Sequence, residues 1–193
     1  MPVRDPASYE EKLRRTRAYL RPDAEVFEFG CGTGTTALKH APFAGRVTAI
    51  DCAPRMIDIA REKAAAEGLS NIRFEVAGLE DMPARDGAFD MVMAHNVLHL
   101  LEDRKGALAR VHRMLRPGGI FVSSTACAAR APRLFKAIVR AGNVLRLLPR
   151  FAFLTEDQLK REIEAAGFEI VEDWLPEGGR SALFLIAKRI GHG

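Results

Sequence analysis

Nothing in the chain restricts its fold more than the run VFEFGCGTG at positions 26–34, where an apolar stretch passes directly into three glycines that open a helix. A short apolar run rich in aromatic and β-branched residues predicts a buried strand. Gly30, Gly32 and Gly34 then form a turn in which a side chain would block close approach of a ligand to the backbone, and in which positive φ costs little. The turn presents backbone amides beside a helix N-terminus, a setting suited to a carboxylate or phosphate of a nucleotide-like ligand.

The rest of the chain alternates in the same way. Ser8 and Glu11 have capping-box spacing, and Leu13, Ala18, Tyr19 and Leu20 give the helix that follows an apolar side ending at Pro22. Strands are predicted over 25–29, 46–50, 72–76, 89–94 and 120–124. Helices are predicted from Thr35, from Pro54 to a C-cap at Gly68, and over 101–115 before Pro117, Gly118 and Gly119. Thr155 with Gln158 makes a second capping box for a helix that ends at Gly167. Two strands, 168–174 and 182–188, follow, close enough to pair as antiparallel neighbours across Pro176 to Gly179. This is an α/β pattern: a mostly parallel seven-stranded sheet with helices on both faces and an antiparallel last strand. A length of 193 residues accommodates one such domain, expected to span 1–193.

Composition removes several classes. A hydrophobic content of 48% beside 28% charged residues excludes wholesale disorder. Residues 1–19 are charged and lack an apolar leader core, and no run approaches the roughly 20 apolar residues of a membrane span, so a cytoplasmic protein is expected. Cys31, Cys52 and Cys127 are scattered, without CxxC spacing or a nearby histidine pattern, which argues against a zinc site, a disulfide framework or any other metal centre. Arg130, Arg133, Lys136, Arg140, Arg146 and Arg150 share a segment without Asp or Glu, and they outweigh the net charge of +4. Basicity therefore belongs to that one segment and is no general argument for nucleic acid.

The second predicted strand ends in Asp51, about 20 residues beyond the glycine turn, where a carboxylate can accept hydrogen bonds from both ribose hydroxyls. Taken in order, EFGCGTG, AIDCAPRMIDIAREKA, FDMVMAHNVLHLL and MLRPGGIFV resemble a class I S-adenosylmethionine-dependent methyltransferase of the small-molecule type, most similar to the ubiquinone and menaquinone biosynthesis methyltransferases. The resemblance runs over about 25–122, resumes weakly over 155–188, and implies a Rossmann-like fold. It further implies that Gly30, Cys31, Gly32 and Gly34 form the loop facing the methionine part of the cofactor, that Glu28 binds its ammonium group, that Asp51 holds the ribose, and that Cys52 and Met56 pack on the adenine. In the loop that reads the adenine edge, members of the family often carry an aspartate where this chain has Gly78. The backbone of Gly78 and Leu79, or the side chain of Glu80, is the alternative.

His95 is expected beside the methionine portion. His99 is expected near the methyl group, where an imidazole of near-neutral pKa can accept a proton, although an in-line displacement from a sulfonium can proceed by alignment alone. His40, His112 and His192 read as surface residues. Residues 128–154 resemble a substrate-covering insertion. Over 130–150 the helical spacing of apolar and basic residues fits a lid, a contact with an anionic membrane surface, or an ordinary surface helix.

The expected function is methyl transfer from S-adenosylmethionine to a small, partly apolar acceptor, with S-adenosylhomocysteine as product. An NAD-dependent oxidoreductase would want glycine or alanine where Thr35 stands. A nucleic-acid amine methyltransferase would want a (D/N/S)PP(Y/F) motif where 95–98 has no proline. A cofactor-binding regulatory module without turnover is the other alternative. The acceptor, the methylated atom and the oligomeric state depend on pocket shape and surface, on which these motifs are silent.

Overall fold

The computed structural model describes residues 5–83, 85–127, 152–176 and 182–191. The apolar runs form seven strands: β1 Glu25–Phe29, β2 Arg46–Asp51, β3 Ile72–Val76, β4 Phe89–His95, β5 Leu115–Thr125, β6 Phe168–Trp174 and β7 Leu183–Arg189. They make one sheet in the order β3-β2-β1-β4-β5-β7-β6. Neighbours from β3 through β5 are parallel, while β7 runs antiparallel to both β5 and β6, as the sequence pattern predicts.

Alternation along each strand divides the core. Phe27, Phe29, Val92, Ala94 and Phe121 face one way, against α4 (Arg104–Met114) and α5 (Glu156–Ala165) through Leu108, Val111, Leu159 and Ile163. Val26, Val47, Ala49, Met91, Met93 and Val122 face the other way, against α2 (Thr35–His40) and α3 (Pro54–Ala66) through Ala37, Leu38, Ile57 and Ala60. Helices thus cover both faces. The partly buried Arg104–Glu162 pair of the α4–α5 contact is bidentate, each side chain retaining only 12% exposure, which ties the two helices together.

Several boundaries differ from expectation. Helix α1 spans Pro6–Arg17, and its N-cap is Asp5, which accepts from the Ser8 amide at 3.0 Å. Ser8 therefore lies inside the helix, because Pro6 is pre-shaped for the first helical position and lacks an amide to satisfy. Glu11, freed from any capping role, pairs with Arg14 and Arg15. The buried side of α1 is Leu13 with Thr16, not the Ala18 to Leu20 stretch, which follows the helix end. Helix α4 starts at Arg104 after a 3-10 turn, Leu98–Leu100, and is capped by Asp103, which accepts from the Gly106 amide at 2.8 Å. Strand β5 begins at Leu115 and carries Pro117, Gly118 and Gly119 within it. Leu115 pairs with Phe89 and Ile120 with Met91, so these residues bulge from the ladder rather than separate helix from strand. Thr155 caps α5 by accepting from the Gln158 amide at 3.0 Å, but the Gln158 side chain turns to Glu162, so the box is only half closed.

The arginine-rich segment 130–150, most of the expected insertion and His192 lie outside the described residues.

Candidate functional site

The glycine turn adopts the conformation its sequence demands. Gly30, Gly32 and Gly34 have φ of 64°, 53° and 70°, a region L side chains rarely adopt. The three have different surroundings. A Cβ on Gly30 would lie 2.6 Å from Val97 Cγ2, and one on Gly34 2.6 Å from the Phe74 ring, so these glycines are packed from within. Nothing lies within 4 Å of a Cβ on Gly32, leaving open space above its backbone. Gly34 donates its amide to the Cys31 carbonyl at 3.0 Å and serves as the N-cap of α2.

Asp51, at the end of β2, reaches across to this loop. Its Oδ2 accepts from the Gly32 amide at 2.8 Å and its Oδ1 from the Ala53 amide at 2.9 Å. The carboxylate is thus fixed beside the loop rather than free in solvent. Cys52 is exposed and Met56 is 41% exposed on the first turn of α3, so Met56 is not a core residue of its helix. Both are apolar groups bordering the space beyond Asp51.

Beneath the loop, Glu28 retains 1% exposure, and its Oε2 is buried without a hydrogen-bond partner. Burial pushes its carboxyl up to about 8, so the side chain is held largely as the neutral acid at pH 7. Burial, with the Glu28 and Asp51 carboxyls close by, also pushes the Cys31 thiol far up, leaving it protonated. An unpartnered acid at a strand end below a glycine loop is a natural counter-group for an ammonium.

The third wall is the loop after β3. The Gly78 amide donates to Asp81 Oδ2 at 3.1 Å. A Cβ on Gly78 would meet Glu80 Oε1 at 2.8 Å and Asp81 Oδ2 at 3.0 Å. Carboxylates from two and three residues on therefore fill the volume beside Gly78, while Leu79 is buried beneath it.

At the end of β4, His95 lies in register with Ser124 of β5, and its Nε2 is buried without a partner. Burial, reinforced by the Lys12 charge, depresses its pKa to about 4. Asn96 follows with φ 55°, the sole non-glycine residue of positive φ among those described, and donates its amide to the Ser124 carbonyl at 2.7 Å. Val97 then turns back beneath Gly30. His99 is buried, its carbonyl accepts from the Ala152 amide at 2.8 Å, and burial lowers its pKa, keeping the ring neutral.

Sequence reasoning missed the contribution of α1 and misplaced two histidines. Lys12 Nζ donates to Ser124 Oγ at 2.9 Å, and Tyr9 Oη lies 3.4 Å from Thr36 Oγ1, so polar side chains of α1 reach the end of β5 and the first turn of α2. The available signal was Tyr9, Lys12 and Thr16 at helical spacing around the buried Leu13. His40 is not a surface residue: it is fully buried at the end of α2, both ring nitrogens lack partners, and burial depresses its pKa to about 3. His112 packs edge-on against Phe168, with ring centroids 5.3 Å apart. No group of three or more His, Cys, Asp or Glu among the described residues is placed to hold a metal ion.

The sheet order defines a doubly wound α/β domain in which the glycine loop, Asp51 and the buried Glu28 come together at the carboxyl ends of the strands. The chain belongs to the class I S-adenosylmethionine-dependent methyltransferase family. A methyltransferase-domain model matches residues 26–119. Over 170 residues the chain is 34% identical to the ubiquinone biosynthesis O-methyltransferase of Methylocella silvestris, covering 84% of this chain and 66% of that protein. Over 152 residues it is 34% identical to the malonyl-[acyl-carrier protein] O-methyltransferase of Serratia marcescens, covering 79% and 56% respectively. The chain thus spans between about half and two thirds of the length of these relatives. Among solved structures, the S-adenosylmethionine-dependent methyltransferase of Mesorhizobium loti superposes with a TM-score of 0.75 at 21% identity, over 95% of this chain and 98% of that one. The [4+2]-cyclase SpnF also reaches 0.75, at 18% identity, over 94% and 81%. Such structural likeness establishes the fold alone.

Proposed function

We propose that this protein transfers the methyl group of S-adenosylmethionine to a small, partly apolar acceptor without a metal ion. The observation that carries this reading is the buried, unpartnered Glu28 carboxyl directly below a glycine loop whose central member, Gly32, is open to a ligand. The residues fit the cofactor: Glu28 takes its ammonium group, the amides of Gly30 to Gly32 its carboxylate side, Asp51 the ribose hydroxyls, Cys52 and Met56 the adenine face, and Glu80 with the Gly78–Leu79 backbone the adenine edge. When bound, the cofactor supplies a sulfonium-activated methyl carbon. The chain's own part is to align an acceptor beside it and exclude water. His99, buried and neutral, is the candidate to receive the acceptor's proton. The segment 130–150 is assigned, on its sequence spacing, to covering the acceptor.

The relatives' names support transfer to oxygen on small or carrier-bound substrates. SpnF shows that this fold also serves a cyclase, so turnover must be tested directly. Calorimetry should show micromolar binding of S-adenosylmethionine and S-adenosylhomocysteine. Asp51→Ala should weaken both by roughly 10- to 100-fold, the loss of charge-assisted hydrogen bonds. Labelled cofactor incubated with a metabolite extract should yield a methylated product in the presence of chelator. Binding of NAD in place of these ligands would overturn the reading, and binding without any turnover would leave a regulatory module.

A further inference from the structure

Helix α3 reaches the glycine loop through one cationic side chain. The half-buried Lys63 donates its ammonium to the Thr33 carbonyl at 3.1 Å, to the Thr33 hydroxyl at 3.0 Å and to the Thr35 hydroxyl at 3.0 Å. An ammonium carries three protons, so these bonds use every donor it has. Ala60, a neighbour of Lys63 on the helix surface, lies against Gly34, where an added Cβ would sit 2.9 Å from Ala60 Cβ. Arg61 ties the same helix to β3 by donating to the Phe74 carbonyl at 2.9 Å, and the Phe74 ring fills the remaining space at Gly34.

Helix capping does not account for the lysine. The N-cap of α2 is Gly34, which offers no side chain to the helix amides, and the groups that stabilise a helix N-terminus are hydroxyls and carboxylates. Lys63 brings positive charge to the unfavourable end of the helix dipole instead. What its bonds fix is the path of the loop. The Thr33–Gly34 peptide is held at both ends, its carbonyl by Lys63 and its amide by the Cys31 carbonyl at 3.0 Å. The Cys31–Gly32 peptide is held in the same way, its carbonyl by the Gly34 amide and its own amide by Asp51 at 2.8 Å. Gly32, the open member of the loop, therefore lies between two clamped peptides, one set by Asp51 from β2 and the other by Lys63 from α3. With no side chain and a φ of 53°, Gly32 has a backbone freedom that only its neighbours can remove.

We propose that Lys63 is a positioning residue for the cofactor's amino-acid end, holding the outer half of the glycine loop, through Thr33 and Thr35, in the shape that receives it. The inference rests on the methyl-transfer reading and gives α3 a part in it that Asp51 cannot perform alone, because Asp51 fixes only the inner peptide. Loss of Lys63 frees the Thr33 carbonyl to turn, and ligand binding then bears the cost of ordering the loop.

The test compares S-adenosylhomocysteine, followed by calorimetry, with 5′-methylthioadenosine, followed by competition at millimolar concentration. The second ligand keeps adenine, ribose and sulfur but lacks the amino-acid end. Lys63→Met should weaken S-adenosylhomocysteine about tenfold and 5′-methylthioadenosine less than about twofold, through the loss of charge-assisted hydrogen bonds that shape only the loop. Lys63→Arg, which can still donate to the Thr33 carbonyl, should recover most of the difference. Thr35→Val removes one acceptor at an exposed position and should shift the ratio of the two affinities the same way by about twofold to threefold, a reading that stands even where Lys63→Met does not fold. Arg61→Met, a control from the same helix, should lower the melting temperature and leave the ratio as it is. Unchanged S-adenosylhomocysteine affinity in Lys63→Met would overturn the proposal. So would an equal loss for both ligands, or a matching shift of the ratio in Arg61→Met, since either would make Lys63 one structural contact among others. Failure of S-adenosylhomocysteine to bind the unsubstituted protein would instead refute the methyl-transfer reading.

Discussion

If Glu28 receives the cofactor's ammonium group, binding must be coupled to loss of a proton, because the free protein holds that carboxyl neutral to about pH 8. At pH 6 a group with that pKa is about 1% ionised and at pH 7.5 about one quarter, so affinity for S-adenosylhomocysteine should rise about 25-fold over that interval. The neighbouring Cys31 thiol stays protonated throughout and does not contribute. Calorimetry in two buffers of different ionisation enthalpy, at pH 6 and 7, should report close to one proton released per ligand. Glu28→Gln should bind more weakly and lose both the proton release and the pH dependence. The same linkage acts on folding with a definite sign: between pH 6.5 and 8, above the range in which His40 and His95 act, the unfolded chain has already given up a proton that the folded chain keeps, so stability of the ligand-free protein should fall as pH rises, less so in Glu28→Gln. Proton release near zero at pH 6, with affinity flat to pH 7.5, would refute the pairing.

The glycines of the loop should separate stability from binding. Gly34→Ala, which drives a Cβ into Phe74 at positive φ, should cost about 2 to 4 kcal/mol in urea unfolding. Gly32→Ala should cost only about 1 kcal/mol yet abolish cofactor binding, and retained binding would place the ligand elsewhere. Glu80→Gln should erase discrimination between S-adenosylhomocysteine and its 6-oxo counterpart S-inosylhomocysteine, a contrast that would persist if the Gly78–Leu79 backbone alone reads the ring edge. Finally, His40 and His95 resist protonation down to about pH 3 and 4, so as pH falls below 6.5 the unfolded chain gains protons that the folded one refuses; melting temperature should drop from pH 6.5 to 4, and His40→Gln should flatten that drop.

The sheet was legible because each of its strands is a short apolar run closed by a polar or glycine-containing turn, and such runs have few other ways to bury both faces. The loop and Asp51 were legible for a related reason: glycine at a strand end and an acid at the next strand end are local demands that sequence spacing expresses directly. What escaped notice depended on contacts far apart in the chain. Lys12 reads as one more charge on a charged helix until the fold brings Ser124, 112 residues away, beneath it. His40 reads as a polar residue ending an amphipathic turn, and only the folded chain shows it buried at the end of α2. Pro117 and the two glycines after it look like a break, yet the ladder absorbs them as a bulge because β4 already offers partners on either side of the irregularity. The role of Glu80 hinges on a turn whose closure by Asp81 leaves no trace in residue spacing.

Asp51 holds the Gly32 amide before any ligand arrives, and that brace governs how quickly a ligand can be caught. A carboxylate has about four lone-pair sites, so ribose hydroxyls can add to Asp51 without displacing the two amides it already holds. The cradle is then close to its final shape in the empty protein, and capture involves little ordering of the backbone. Substitutions on the ligand-facing side should therefore alter how long the cofactor stays far more than how fast it enters. Loosening the brace itself, as in Asp51→Ala, should instead slow entry, because each encounter would have to wait for the loop to find its bound form.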